Sequence, residues 1–231
     1  MLTSLLFSTS CMNSFWDCIE GNGHTATVRR SVGDFTNVTS SGDFIVDVSI
    51  GSTTSVSVEA DENLLSYIET YIQGNTLIIE TEDNHCIRSR EQIYVHVVTP
   101  SVYELKLTGS GVIYCDDVDG PELKYVLTGS GDIESTGISA DFIEANLTGS
   151  GEIILSGIAG ETDFYISGSG NIKAINLEQD QCIATITGSG SIYAFVNELL
   201  DAMITGSGNV LYKGDPEKKV NITGSGRVIR Y

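Results

Sequence analysis

Basic residues, prolines, long apolar runs and closely paired cysteines are all in short supply in this chain. Its 12 Lys and Arg stand against 31 Asp and Glu, a net charge of −19. That field repels phosphate backbones and anionic membrane surfaces, which excludes nucleic acid as a partner. No stretch approaches the roughly 20 apolar residues that span a bilayer. The five cysteines, Cys11, Cys18, Cys86, Cys115 and Cys182, lack the short spacing of a zinc site or a redox pair. Cys86, Cys115 and Cys182 therefore read as small buried hydrophobes, with disulfide pairing left open. Only 3 prolines stand beside 25 glycines and many β-branched residues, a composition that favours short strands joined by tight corners and few helices. Hydrophobic residues make up 41% of the 231, enough for one elongated domain or two small ones.

The chain starts with an apolar stretch, Leu2-Thr3-Ser4-Leu5-Leu6-Phe7, then small residues Ser8, Thr9 and Ser10, then Cys11. This order resembles the end of a bacterial lipoprotein signal, in which the cysteine is lipidated and becomes the new N-terminus, although the usual basic segment is missing. Cys11 is accordingly the expected lipidation site. Residues 12–25 then read as a polar tether, and the protein as anchored to the outer membrane of a cell envelope rather than embedded in it.

The strongest signal is an internal repeat. Gly-Ser-Gly starts at Gly109, Gly129, Gly149, Gly168, Gly188, Gly206 and Gly224, at intervals of 20, 20, 19, 20, 18 and 18 residues. Each copy follows an aliphatic residue and a hydroxyl, as in Leu107-Thr108 and Ile186-Thr187, and each is followed by another aliphatic, from Ile113 and Ile133 to Val228. The period of a strand puts Leu107, Gly109, Gly111 and Ile113 on an inner face and Thr108, Ser110 and Val112 on an outer one. A repeat of 18–20 residues suits one coil of a β-solenoid, and crossover handedness makes the path right-handed. The fold expected is all-β, a right-handed parallel β-helix over residues 108–231. The rest of each coil is looser. Val118, Leu123, Ile138, Phe142, Ile158, Phe164, Ile175 and Ile183 are its expected inner anchors, with Asp116, Asp117, Asp119, Glu122, Asp141, Glu144, Glu161, Asp163, Glu178 and Asp180 on the outer wall.

Residues 26–107 lack the repeat, except that Ser41-Gly42-Asp43-Phe44 reads as a degenerate copy. Alternation predicts strands at 44–50, 55–59, 76–80 and 93–99. Leu64, Leu65, Ile68 and Ile72 have the spacing of one short amphipathic helix with Asp61 as N-cap. This portion is expected to start and cap the array, since an open coil needs an atypical end.

The recurrent [Leu/Ile]-Thr-Gly-Ser-Gly-x-Ile, together with the Phe35 to Gly42 stretch and the lipoprotein-like leader, resembles the putative auto-transporter adhesin head GIN domain family, common in Bacteroidetes, over about residues 26–231. The resemblance implies a right-handed parallel β-helix in an envelope or surface protein, and it carries no activity or functional residues.

Many β-helices act on polysaccharides, and such sites need clustered outer carboxylates, often with Ca²⁺. Asp116, Asp117 and Asp119 are the best local candidate, but other coils do not copy the triplet and it reads as a solvated corner. His24, His85 and His96 have no adjacent nucleophile, and the Gly-Ser-Gly serines are not nucleophile elbows. The sequence therefore assigns no catalytic, cofactor-binding or metal residue. It points to a non-enzymatic envelope protein, with a glycan-binding or polysaccharide-active β-helix as the alternative. A glycan, another envelope or surface protein, or a second copy of the chain are the partner classes left open.

Overall fold

The structure is a computed structural model that describes residues 18–231. Cys11, the signal-like segment and residues 12–17 of the expected tether lie outside the described residues. After β1 (Ile19–Glu20) and β2 (Thr25–Arg30), the chain lays down its first coil as β3 (Asn37–Gly42) and β4 (Ile45–Ile50). It then leaves the coil path through β5 (Ser55–Asp61), a 3-10 turn at Leu65–Tyr67, β6 (Ile68–Gln73), β7 (Thr76–Thr81), β8 (Ile87–Arg88) and β9 (Tyr94–Thr99). β7 pairs parallel with β3, and β9 parallel with β4. The chain thus folds back beneath its own first coil before the regular stack begins.

That stack runs upward from the other side of the first coil. β10 (Glu104–Gly109) and β11 (Val112–Asp116) pair parallel with β3 and β4. β12 (Asp119–Gly129), β13 (Asp132–Gly149), β14 (Glu152–Gly168), β15 (Asn171–Gly188), β16 (Ser191–Gly206), β17 (Asn209–Lys213), β18 (Glu217–Gly224) and β19 (Arg227–Arg230) follow. The parallel coils make a β-solenoid of about six turns. The degenerate copy takes its place in the register, because Gly42 pairs with Gly109, which pairs with Gly129.

The Gly-Ser-Gly corner explains its own repetition. The carbonyl oxygen of Gly109 accepts the N–H groups of both Ser130 and Gly131, each at 3.0 Å, and the pattern recurs up the stack. Each first glycine has a left-handed φ, +123° at Gly109 and +132° at Gly168, which other residues adopt only at a cost. Inside, Leu107, Leu127, Leu147, Ile166, Ile186 and Ile204 form one fully buried column, and Ile113, Ile133, Ile153, Ile172, Ile192 and Val210 another. Both follow the expected inner face.

The looser side of the coil departs from expectation at four residues. Val118, Leu123, Ile138 and Phe164 are buried, but Phe142 and Ile175 are only half-buried, and Ile158 is 58% and Ile183 50% exposed. Ala159, Leu177 and Cys182 are the buried residues at those levels. Coils of unequal length absorb their difference on this side, where register shifts fall between Ser135 and Ile138, Ile154 and Ser156, and Ala174 and Glu178. A slip of one residue turns an alternating strand over.

The N-terminal portion corrects three expectations. Residues 61–72 hold no α-helix: the 3-10 turn gives way to β6, whose Ile68, Thr70 and Ile72 alternate with exposed Glu69, Tyr71 and Gln73. The β-branched alternation of that stretch overrides the helical spacing of its leucines. Asp61 is no N-cap but a fully buried residue at the end of β5. The expected tether is already structured from residue 18, since Cys18 forms a disulfide with Cys86 and β1 pairs with β8. Cys115 and Cys182 are buried free thiols as expected. Leu64 and Leu65 of the turn region are buried.

Candidate functional site

Side chains that leave the core in register form columns on the outside of the stack. Coil after coil, Thr108, Thr128, Thr148, Ser167, Thr187, Thr205 and Thr223 occupy one such column. The acidic residues expected on the wall are there, all exposed except the half-buried Glu144 and Asp163. Ion pairs link neighbouring coils where cations occur, Lys124 to Glu144 at 3.1 Å and Lys173 to Glu152 at 2.6 Å. Asp163 has no such cation; burial, then the nearby charge of Glu144, raises its carboxyl above the ordinary range.

The earlier candidates do not assemble into a catalytic group. Asp116 accepts the Thr136 hydroxyl, and Asp117 turns the corner with φ +56°. Among the described residues no set of three or more His, Cys, Asp and Glu converges closely enough to hold a metal ion. His85 lies 3.4 Å from Glu82, and His96 lies 3.6 Å from Asp47 and stacks on Tyr94. The serines of the repeat are exposed corner residues.

The structure instead draws together residues that no local motif marks. On the irregular side of the stack, a recess of about 390 Å³ is lined by Asp141, Phe142, Gly160, Glu161, Asp180 and Glu198. A second recess of about 130 Å³ adjoins it through Phe142 and Glu161 and adds Ile183, Leu199 and Asp201. Gly160 forms the floor because its backbone passes too near the Asp141 carbonyl to carry a side chain, 2.7 Å from where a Cβ would stand. The groove crosses successive coils, since Phe142, Glu161, Gln181 and Leu199 are partners in register. Asp141, Glu161, Asp180, Glu198 and Asp201 have no ion-pair partner among the described residues. Such a groove combines an apolar floor with a rim that attracts cations. Its apolar component was hidden in the sequence, where Ile183 reads as an inner anchor; the changing coil length was the one available signal.

No described helix is long and apolar enough to cross a membrane. The family described as "Putative auto-transporter adhesin, head GIN domain" matches residues 34–216. Among solved structures, the chain is similar to a putative adhesin from Bacteroides fragilis NCTC 9343 at 21% identity and TM-score 0.88, covering 92% of this chain and 100% of that one. A putative lipid binding protein from Parabacteroides distasonis ATCC 8503 is 27% identical with TM-score 0.80, covering 92% and 99%. A putative adhesin from Parabacteroides merdae ATCC 43184 is 25% identical with TM-score 0.75, covering 93% and 99%. No curated protein matches the chain.

Proposed function

This chain belongs to the putative auto-transporter adhesin, head GIN domain family, and on that premise we propose that it is a non-enzymatic adhesin of the cell envelope, lipid-anchored through Cys11 to the outer membrane. The observation that carries the reading is the acidic, apolar-floored groove built across successive coils of a single continuous core. A stack whose coils are joined by backbone ladders holds such a wall in fixed geometry, and preorganised surfaces lose little entropy on binding. The wall suits contacts with cationic or amphipathic groups on a target surface.

Two measurements test this. Incubation of the purified chain with acidic and neutral polysaccharides should show no turnover; cleavage would overturn the non-enzymatic reading, and binding without cleavage would make the protein a lectin. In the parent bacterium, Cys11→Ala should move the protein from the membrane fraction to the soluble fraction. Equal partitioning of both forms would remove the anchor from the proposal.

A further inference from the structure

We infer that the last coil is a docking end for a second copy of this chain, with β18 adding to the free edge of β6 in its neighbour. The contact is independent of what the outer wall binds. Among the described residues, β18 and β19 are paired on one side only, to β16 and β17. Their inner side chains occupy positions that every earlier coil buries. Val220 is 48% and Ile222 38% exposed, while Ala202 and Ile204, directly below them, are at most 1% exposed. An unpaired strand with an open apolar row is a template for another strand.

Charge selects the partner edge. The last coil region carries Lys213, Lys218, Lys219, Arg227 and Arg230 against Asp215 and Glu217, a balance of +3 in a chain of net charge −19. Some of these cations are engaged within the coil: Lys218 donates to the Tyr212 hydroxyl at 3.0 Å, Lys213 lies over the Phe195 ring, and Arg230 faces Asp215. Lys219 and Arg227 have no ion-pair partner among the described residues. Two such ends facing each other would repel, so a symmetric tail-to-tail pair is disfavoured.

At the opposite end of the stack, among the described residues, β2 and β6 also have one free edge, paired only to β5 and β7. β2 brings Arg29 and Arg30, and Arg30 donates to the carbonyls of Leu65 and Ile68, which occupies the first position of the β6 edge and leaves the rest of it open. By contrast, residues 53–83 contain Glu59, Asp61, Glu62, Glu69, Glu80, Glu82 and Asp83 and no Lys or Arg. Glu69 of β6 stands opposite Glu80 of β7, so β6 is the acidic edge. Its inner residues Thr70 and Ile72 are half-buried, which leaves apolar surface for Val220 and Ile222 to cover. β6 runs antiparallel to β7, and β7 shares its direction with β3 and hence with β18. The new ladder is therefore antiparallel. A joint between different ends of identical chains is heterologous and repeats, so it builds linear oligomers.

The test is sedimentation of the full chain across a concentration series, with Cys11→Ser to exclude association through a lipid. Oligomers that grow with concentration and shrink at high salt are expected, because exposed charge pairs are screened. Two charge-reversal variants, Lys218→Glu/Lys219→Glu and Glu69→Lys/Glu80→Lys, should each associate at least about tenfold more weakly at an unchanged melting temperature. Mixed together, they should recover linear oligomers in which the two variants alternate, because two of the four possible joints, each between unlike variants, then pair opposite charges. A chain that stays monomeric at every concentration would overturn the inference, as would oligomers indifferent to both reversals or a mixture of folded variants that fails to pair.

Discussion

Gly149 lies directly above Gly129 in the stack, so close that a Cβ on it would overlap the Gly129 carbonyl oxygen. Its φ of +123° is also one that an L side chain rarely adopts. Gly149→Ala therefore meets both backbone strain and a steric clash with a rigid ladder, at a cost on the order of 3 kcal/mol. The adjacent exposed Ser150→Ala should change stability by less than about 0.5 kcal/mol. Chemical denaturation of the two variants checks the contrast, and equal midpoints would contradict the corner geometry.

A second pair of substitutions tests which way the irregular side faces. Ile153 is fully buried between Ile133 and Ile172, whereas Ile158, five residues on, is mostly exposed. Ile153→Asp places a charge in the apolar column and should unfold the domain or cost several kcal/mol. Ile158→Asp should be nearly neutral and should improve solubility. Thermal melts that rank the two in the opposite order would restore the inward reading of Ile158.

The cysteines separate into two chemical classes. Cys18 and Cys86, 68 residues apart, close a long loop, and loop-closure entropy makes such a crosslink worth roughly 4 kcal/mol at most. Reducing agent should lower the melting temperature of the parent and leave that of Cys86→Ser unchanged. Burial pushes the thiols of Cys115 and Cys182 up to about 12, so neither presents a thiolate at neutral pH. Peptide mapping after alkylation should find both unmodified in the native protein and both labelled after unfolding. Labelling in the native state would show that the core opens.

What could be read from the sequence follows the regularity of the chain. Leu107 to Ile204 and Ile113 to Val210 fell into their columns because the same alternation recurs at every Gly-Ser-Gly, and repeated local evidence adds up. Ile158 and Ile183 were misplaced because facing depends there on a one-residue difference between neighbouring coils, visible only once the coils are stacked. The stretch Ile68–Gln73 satisfied a helical spacing and a strand alternation at once, and its pairing with β7 decided between them. The disulfide was illegible because nothing local to Cys18 or Cys86 reports a partner 68 residues away. The acidic groove was beyond sequence for the same reason, since its residues come from four successive coils.

Asp61 joins those distant segments by one carboxylate. Its oxygens accept the Ser89 hydroxyl at 2.7 Å, the Arg90 N–H at 3.0 Å and the Gly23 N–H at 2.5 Å. The Ser89 hydrogen bond holds the carboxyl below its ordinary value of 3.8 against the opposing effect of burial, and the backbone N–H groups of Arg90, Gly23 and Glu91 help. A group whose pKa is depressed in the folded state adds stability that is complete above its unfolded value and lost as pH falls through the folded one. The contribution of Asp61 is therefore whole at pH 7 and fades below about pH 4. Asp61→Asn keeps the shape but replaces a charged acceptor by a neutral amide, whose N–H₂ must face either the N–H of Gly23 or the N–H of Arg90, since the two donate to different oxygens. The variant should be clearly less stable than the parent at pH 7, and the gap should narrow as pH falls below about 4 and the parent carboxylate takes up its proton. Comparing the two chains at each pH cancels the titration of the other carboxylates. A gap that does not narrow as the pH falls through the acid range would show that Asp61 acts by packing alone, and an Asn variant as stable as the parent at neutral pH would remove it as the clasp between residues 21–23 and 89–91.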